Sequence, residues 1–185
     1  MLRLPQLFSK PGWTKPIMLI PDAEVLCESL RRQIAPVVSP ATVMIGVHTG
    51  GAWIAAKLHR ALGLTTPLGL LDISFYRDDF ARVGLNPQVK KSAIPIDIEN
   101  AEILLIDDVL YTGRTVRAAM NELFDYGRPK KIDLAVLVDR GGRELPVAAR
   151  FTGETLILEA HQSLNLAQDA SGQLSFQLVE KKDRT

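Results

Sequence analysis

Four short apolar runs, nearly unbroken rather than alternating, constrain this chain most: residues 42–47 (TVMIGV), 68–73 (LGLLDI), 103–106 (ILLI) and 132–138 (IDLAVLV). A strand reads this way when helices cover both faces of its sheet, so that odd and even side chains are both buried. The segments between them carry helical spacing. Asp22 can cap a first helix with Leu26, Leu30 and Ile34 on one face, and Pro36 ends it. Gly50 and Gly51 open a second helix over 52–62, stopped at Gly63. A third helix over 115–126 puts Val116, Ala119, Met120, Leu123 and Phe124 on one stripe, with Gly127 at the C-cap position and Pro129 beyond. Strand–helix alternation of this kind predicts an α/β fold with a mainly parallel sheet. The tail differs: 155–158 and 174–179 read as two strands around a polar turn at 168–172.

A chain of 185 residues with 46% hydrophobic and 23% charged residues can bury a core without staples, so one domain over 1–185 is expected. Residues 1–16 read as a flexible arm. The polar stretch 75–93 is too long for a plain connection and reads as a functional or mobile loop. With 22 Lys and Arg against 21 Asp and Glu, the net charge of +1 excludes a protein that coats nucleic acid by bulk charge. No apolar run is long enough to span a membrane. Cys27 is the only cysteine, so no internal disulfide forms, and a reducing cytoplasm fits. Cys27 reads as packing or surface rather than a nucleophile, His59 as solvated, His161 as carrying no role, and Trp53 as core or interface.

The chemistry concentrates in Ile103-Leu-Leu-Ile-Asp107-Asp108-Val-Leu-Tyr-Thr112-Gly113-Arg114-Thr115. Two carboxylates stand at the end of a buried strand, and a short Thr/Gly loop then enters a helix. Ligands of open parallel sheets bind at the carboxyl ends of strands. The loop N–H groups and the helix N-terminus make an anion site, and the threonine hydroxyls add donors. Two acids beside a phosphate cradle would repel the ligand unless they hold sugar hydroxyls or a nearby Mg²⁺. Together these parts describe a site for a phosphorylated ribose.

The stretch resembles the phosphoribosyl pyrophosphate (PRPP) motif of type I phosphoribosyltransferases. The same run, with 134–141 (LAVLVDRG), 143–146 (RELP) and 72–79 (DISFYRDD), resembles the PyrR family more specifically. The resemblance implies a parallel sheet flanked by helices, a small hood and a C-terminal β-hairpin. It implies a uracil phosphoribosyltransferase, a pentosyl transferase of pyrimidine salvage that turns uracil and PRPP into UMP and pyrophosphate. The alternative it carries is a nucleotide-responsive regulator that binds pyrimidine-operon mRNA, with weak or no catalysis. By the resemblance, Asp107 and Asp108 hold the ribose hydroxyls, and Thr112, Gly113, Arg114 and Thr115 cradle the 5-phosphate. The turn His48-Thr49-Gly50-Gly51 meets pyrophosphate, Tyr76 and Arg77 lie on the family's mobile lid, and Val138, Asp139, Arg140 and Gly141 lie by the uracil pocket. Arg77 joins the two aspartates as a catalytic group. Mg²⁺ is the implied cofactor, held mainly through PRPP with Asp107 or Asp108, and a homo-oligomer is the implied assembly.

Two departures from the family pattern follow. The family's Lys-Thr-Arg-Gly turn is His48-Thr49-Gly50-Gly51 here, so an arginine facing the leaving group is missing. One such charged contact is worth about 1.5–3 kcal/mol. His48 either donates a ring N–H to pyrophosphate or simply replaces the lysine. Against RNA as a partner stand Gly142 where the family has His, Glu154 where it has Lys, and Pro36 where regulatory members have His. Arg31, Arg32, Arg140, Arg143 and Arg150 remain as potential basic surface.

Overall fold

The computed structural model describes residues 19–73 and 92–180. The 1–16 arm, Tyr76, Arg77 and all of the 75–93 loop except Ser92 and Ala93 lie outside the described residues.

The chain runs α1 (Ala23–Ile34), β1 (Thr42–Val47), α2 (Gly50–Ala61), β2 (Gly69–Leu71), β3 (Glu102–Leu110), α3 (Arg114–Tyr126), β4 (Lys131–Asp139), β5 (Phe151–Thr155), β6 (Gln162–Gln168) and β7 (Leu174–Glu180). Strands β1 to β5 form one parallel sheet in the order β2-β1-β3-β4-β5, and β6 and β7 form a separate antiparallel hairpin. Alternate strand residues serve opposite faces. Met44, Leu104, Ile106, Ala135 and Leu137 pack with Leu26, Leu30 and Ile34 of α1 and Ile54 and Leu58 of α2. Val43, Ile45, Leu105, Leu134 and Val136 pack with Val116, Ala119 and Leu123 of α3. All six β1 residues are therefore buried, as its unbroken apolar run requires.

Asp22 caps α1 by accepting the N–H groups of Glu24 (2.8 Å) and Val25 (3.2 Å). Gly50 and Gly51 lie inside α2 rather than before it. On α3, Phe124 departs from the predicted stripe and is half exposed, while Ala118 takes a buried place. Gly127 closes α3 in extended backbone rather than the left-handed form.

The tail corrects the sequence reading. Residues 151–155 form a fifth parallel strand on β4, and Ile157 is exposed. The hairpin partner of β7 is β6, not 155–158. Only Leu164 and Leu166 of β6 are large and apolar, and they face Leu178 and Phe176 across the ladder. This two-residue period is faint beside the apolar cluster at 156–158. The hairpin is latched to the body: Glu24 Oε1 accepts from Lys57 Nζ (2.5 Å) and from the N–H of Leu174 (2.7 Å). Among the described residues, no helix is long and apolar enough to cross a membrane.

Candidate active site

Topology locates the site before any side chain does. The chain steps outward from β1 to β2, then returns past β1 to β3. Such a reversal opens a crevice at the carboxyl ends of the strands. A cavity of about 230 Å³ lies there, lined by residues 107–113, Thr115, Val116, Arg140 and residues 163–165 of β6.

The aspartates sit within β3, which runs on to Leu110, rather than after it. Asp107 is buried, and its Oδ1 accepts the N–H of Asp108 at 3.0 Å. Asp108 is half-buried and accepts the N–H of Val109 at 2.8 Å. Its carboxylate reaches across the crevice to α2. A Cβ on Gly50 would stand 2.3 Å from Asp108 Oδ2, so the bare glycine makes room for that carboxylate. Gly51 is equally tight: its Cβ would stand 2.3 Å from the carbonyl oxygen of Ile106.

Beyond β3 the chain turns at Thr112 and Gly113 into α3. Gly113 has φ +91°, a left-handed conformation open to glycine. Thr112 Oγ1 accepts the N–H of Arg114 at 3.3 Å. No side chain caps α3 from the Gly113 position, so the helix presents backbone donors and its positive end to the cavity. Thr112, Gly113 and Thr115 line that cavity; the Arg114 side chain does not, and pairs with Glu144 (2.8 Å).

Arg140 closes another wall. It is 7% exposed, its guanidinium stacks 3.9 Å from the Tyr111 ring centroid, and among the described residues its Nε has no hydrogen-bond partner. Among the described residues no carboxylate pairs with it, a costly arrangement for a buried cation, and it faces a cavity that can hold an oxygen-rich ligand. Tyr111 reaches it because residue 142 is glycine: a Cβ there would stand 2.4 Å from the ring. The side chains of Val138 and Asp139 do not line the cavity. Val138 is fully buried, and Asp139 accepts the N–H of Gly141 at 2.9 Å and pairs with Arg143.

None of residues 48–51 lines that cavity; the β1–α2 turn packs its glycines against the end of β3 instead. His48 lines a separate groove of about 610 Å³ with Trp53, Lys57, Arg60 and residues of the hairpin turn. Its N–H donates to the Leu71 carbonyl at 2.8 Å. Trp53 is partly buried against the core. His59 is tied to the Thr66 carbonyl at 2.6 Å rather than solvated. Cys27 is buried, and desolvation first of all pushes its thiol up to about 12, which suits packing rather than nucleophilic chemistry.

The five arginines read as basic surface are engaged. Arg31 and Arg32 pair with Glu28, Arg150 with Asp133, and Arg143 with Asp139. Arg140 is buried. Gly142 and Glu154 are exposed, as is Pro36. Sequence reasoning missed Ser163, Leu164 and Asn165, which roof the cavity from β6. The alternation of Leu164 and Leu166 was the only signal for that strand.

Known proteins place the chain in a family. A family model described as "Phosphoribosyl transferase domain" matches residues 28–169. A protein named "Bifunctional protein PyrR" from Pseudomonas fluorescens is 53% identical over 133 residues, covering 72% of this chain and 79% of the relative. Another of that name, from Nitrosococcus oceani, is 45% identical over 170 residues, 90% of this chain and 96% of the relative. In fold, the chain is similar to a hypoxanthine phosphoribosyltransferase from Staphylococcus aureus, with TM-score 0.59 at 20% identity, covering 75% of this chain and 76% of that one.

Proposed function

This chain belongs to the PyrR family of phosphoribosyltransferases, and on that premise we propose that it transfers the phosphoribosyl group of PRPP to uracil, forming UMP and pyrophosphate. The observation that carries the reading is the cavity itself: two strand carboxylates beside a helix N-terminus and two threonines, at the reversal point of the sheet.

In this reading the 5-phosphate lies on the N–H groups of residues 112–115 with the Thr112 and Thr115 hydroxyls. Asp107 and Asp108 accept from the ribose hydroxyls. They also fix the sugar as positive charge develops on its anomeric carbon, where a facing carboxylate is stabilising. Pyrophosphate leaves toward the 48–51 turn. Arg140 offers its Nε–H to a base carbonyl, and Ser163 and Asn165 shield the base from above. Tyr76 and Arg77 stay part of the proposal as lid groups that exclude water.

Mg²⁺ fits the donors present. Among the described residues no cluster of three or more His, Cys, Asp or Glu stands ready to cage a metal. Two adjacent carboxylates suit an ion shared with substrate oxygens. When bound, it would neutralise charge on the departing pyrophosphate. We place the reaction in the cytoplasm and in a homo-oligomer, and sedimentation velocity checks the assembly.

The regulatory reading keeps one support, the name "bifunctional" borne by the relatives. Of the potential basic surface, Arg31, Arg32, Arg143 and Arg150 sit in ion pairs and Arg140 is buried.

The test is UMP formation from uracil and PRPP with Mg²⁺, run with hypoxanthine and orotate as competing bases and beside Asp108→Asn. Uracil-specific product that falls at least a hundredfold in the variant supports the proposal. A folded protein that binds UMP yet forms no product with any base overturns it.

A further inference from the structure

Residues 141–147 cross behind the phosphate loop as a strap, and their bonds converge on three consecutive carbonyls. The N–H groups of Glu144 and Leu145 both donate to the Thr112 carbonyl at 3.0 Å. Arg143 donates through one terminal nitrogen to the carbonyls of Tyr111 (2.5 Å), Leu110 (3.2 Å) and Gly141 (3.3 Å). Its Nε donates to the Val147 carbonyl at 3.0 Å, and its other terminal nitrogen donates to the Asp139 carboxylate. The guanidinium is therefore engaged on every nitrogen, with its side chain 24% exposed. Leu145 and Val147 complete the contact, each with Cβ 3.4 Å from where a Cβ on Gly113 would lie.

A planar trans peptide sends its C=O and N–H in opposite directions. Tying the Tyr111 carbonyl to the strap turns the N–H of Thr112, a residue that lines the cavity, away from the strap. Tying the Thr112 carbonyl does the same for the N–H of Gly113. A loop that must present bare N–H groups to an anion has no ladder to hold it, so its peptide planes need a brace from behind.

We propose that Arg143 is a positioning residue of the anion site: it orients the N–H of Thr112 directly by holding the Tyr111 carbonyl, and it anchors the strap whose Glu144 and Leu145 N–H groups hold the Thr112 carbonyl and so orient the N–H of Gly113. Naming the anion as the 5-phosphate of PRPP or UMP rests on the phosphoribosyl-transfer reading; the bracing does not.

The experiment uses Arg143→Gln and Arg143→Lys, with Arg150→Gln as a control on an arginine away from the loop. In ligand-free protein, NMR order parameters of the Thr112 and Gly113 N–H vectors are expected to fall in Arg143→Gln from the rigid range near ~0.85 to below ~0.6. Those of β3 and β4 stay rigid. The Kd for UMP and the KM for PRPP are expected to rise at least tenfold while kcat changes less than threefold. Arg143→Lys falls between, and Arg150→Gln matches the unaltered protein. Unchanged loop order and unchanged UMP affinity in folded Arg143→Gln overturn the proposal. So does loosening spread evenly over the sheet, which marks a merely structural role. If Arg143→Gln does not fold, the same readouts on Arg143→Lys decide. If the protein orders its loop and binds UMP but forms no product, the transfer reading falls and the bracing result still stands.

Discussion

Two strand-to-helix turns face each other across the crevice, and they are built in opposite ways. The β3–α3 turn is braced: side chains line it, a strap holds its carbonyls, and glycine appears once, at a left-handed position. The β1–α2 turn is bare: two glycines open its helix, no side chain caps it, and a carboxylate from β3 fills the space a Cβ would take. The first suits a group that stays bound through the reaction. The second suits a group that arrives charged and must leave, since a strong fixed clamp would hold ground state and transition state alike.

Adding matter to the bare turn should break this contrast most sharply. Gly50→Ala places a methyl against the Asp108 carboxylate, and an ångström of misplacement is worth about a hundredfold. We expect kcat to fall about 10- to 100-fold with PRPP binding less affected, read from steady-state kinetics. Gly50→Arg, which restores the family's arginine, should lose rather than gain activity for the same reason. Removing one donor from the braced turn should act on binding instead. Thr115→Val is expected to raise KM for PRPP about tenfold, the worth of one hydrogen bond to a charged group, with kcat nearly unchanged. Arg114→Gln should matter little, since its pair with Glu144 is half exposed and such pairs are worth about 0–1 kcal/mol; a KM change under about fivefold is expected. The smallest effect belongs to Cys27. With its thiol pushed up to about 12 by burial, iodoacetamide at neutral pH should label it only in denaturant and leave both turns working, as mass spectrometry and assay can check.

The braced turn was the more legible of the two. A cradle that works through backbone donors needs Thr, Gly and a helix start at fixed spacing, and 107–115 displays them in order. What steadies the cradle was not legible. Arg143 acts through carbonyls, which every residue carries, so it read as surface charge. Gly50 read as a missing contact, because the carboxylate that needs its space lies 58 positions away in sequence. The roof over the cavity was misplaced by one strand, since residues 162–168 bury only alternate leucines among polar neighbours. The first four strands were easier: burial on both faces leaves each of them an unbroken apolar run.

The Glu24 latch has a consequence for the order in which the molecule is made. Its carboxylate joins residues 150 positions apart, Glu24 and Leu174, and long-range closures of this kind form late. On a ribosome the parallel sheet can assemble while β6 and β7 are still unmade, so the nascent chain holds an open, unroofed crevice. Competence to enclose a substrate then arrives with the last tenth of the described chain, as a step separate from folding of the sheet.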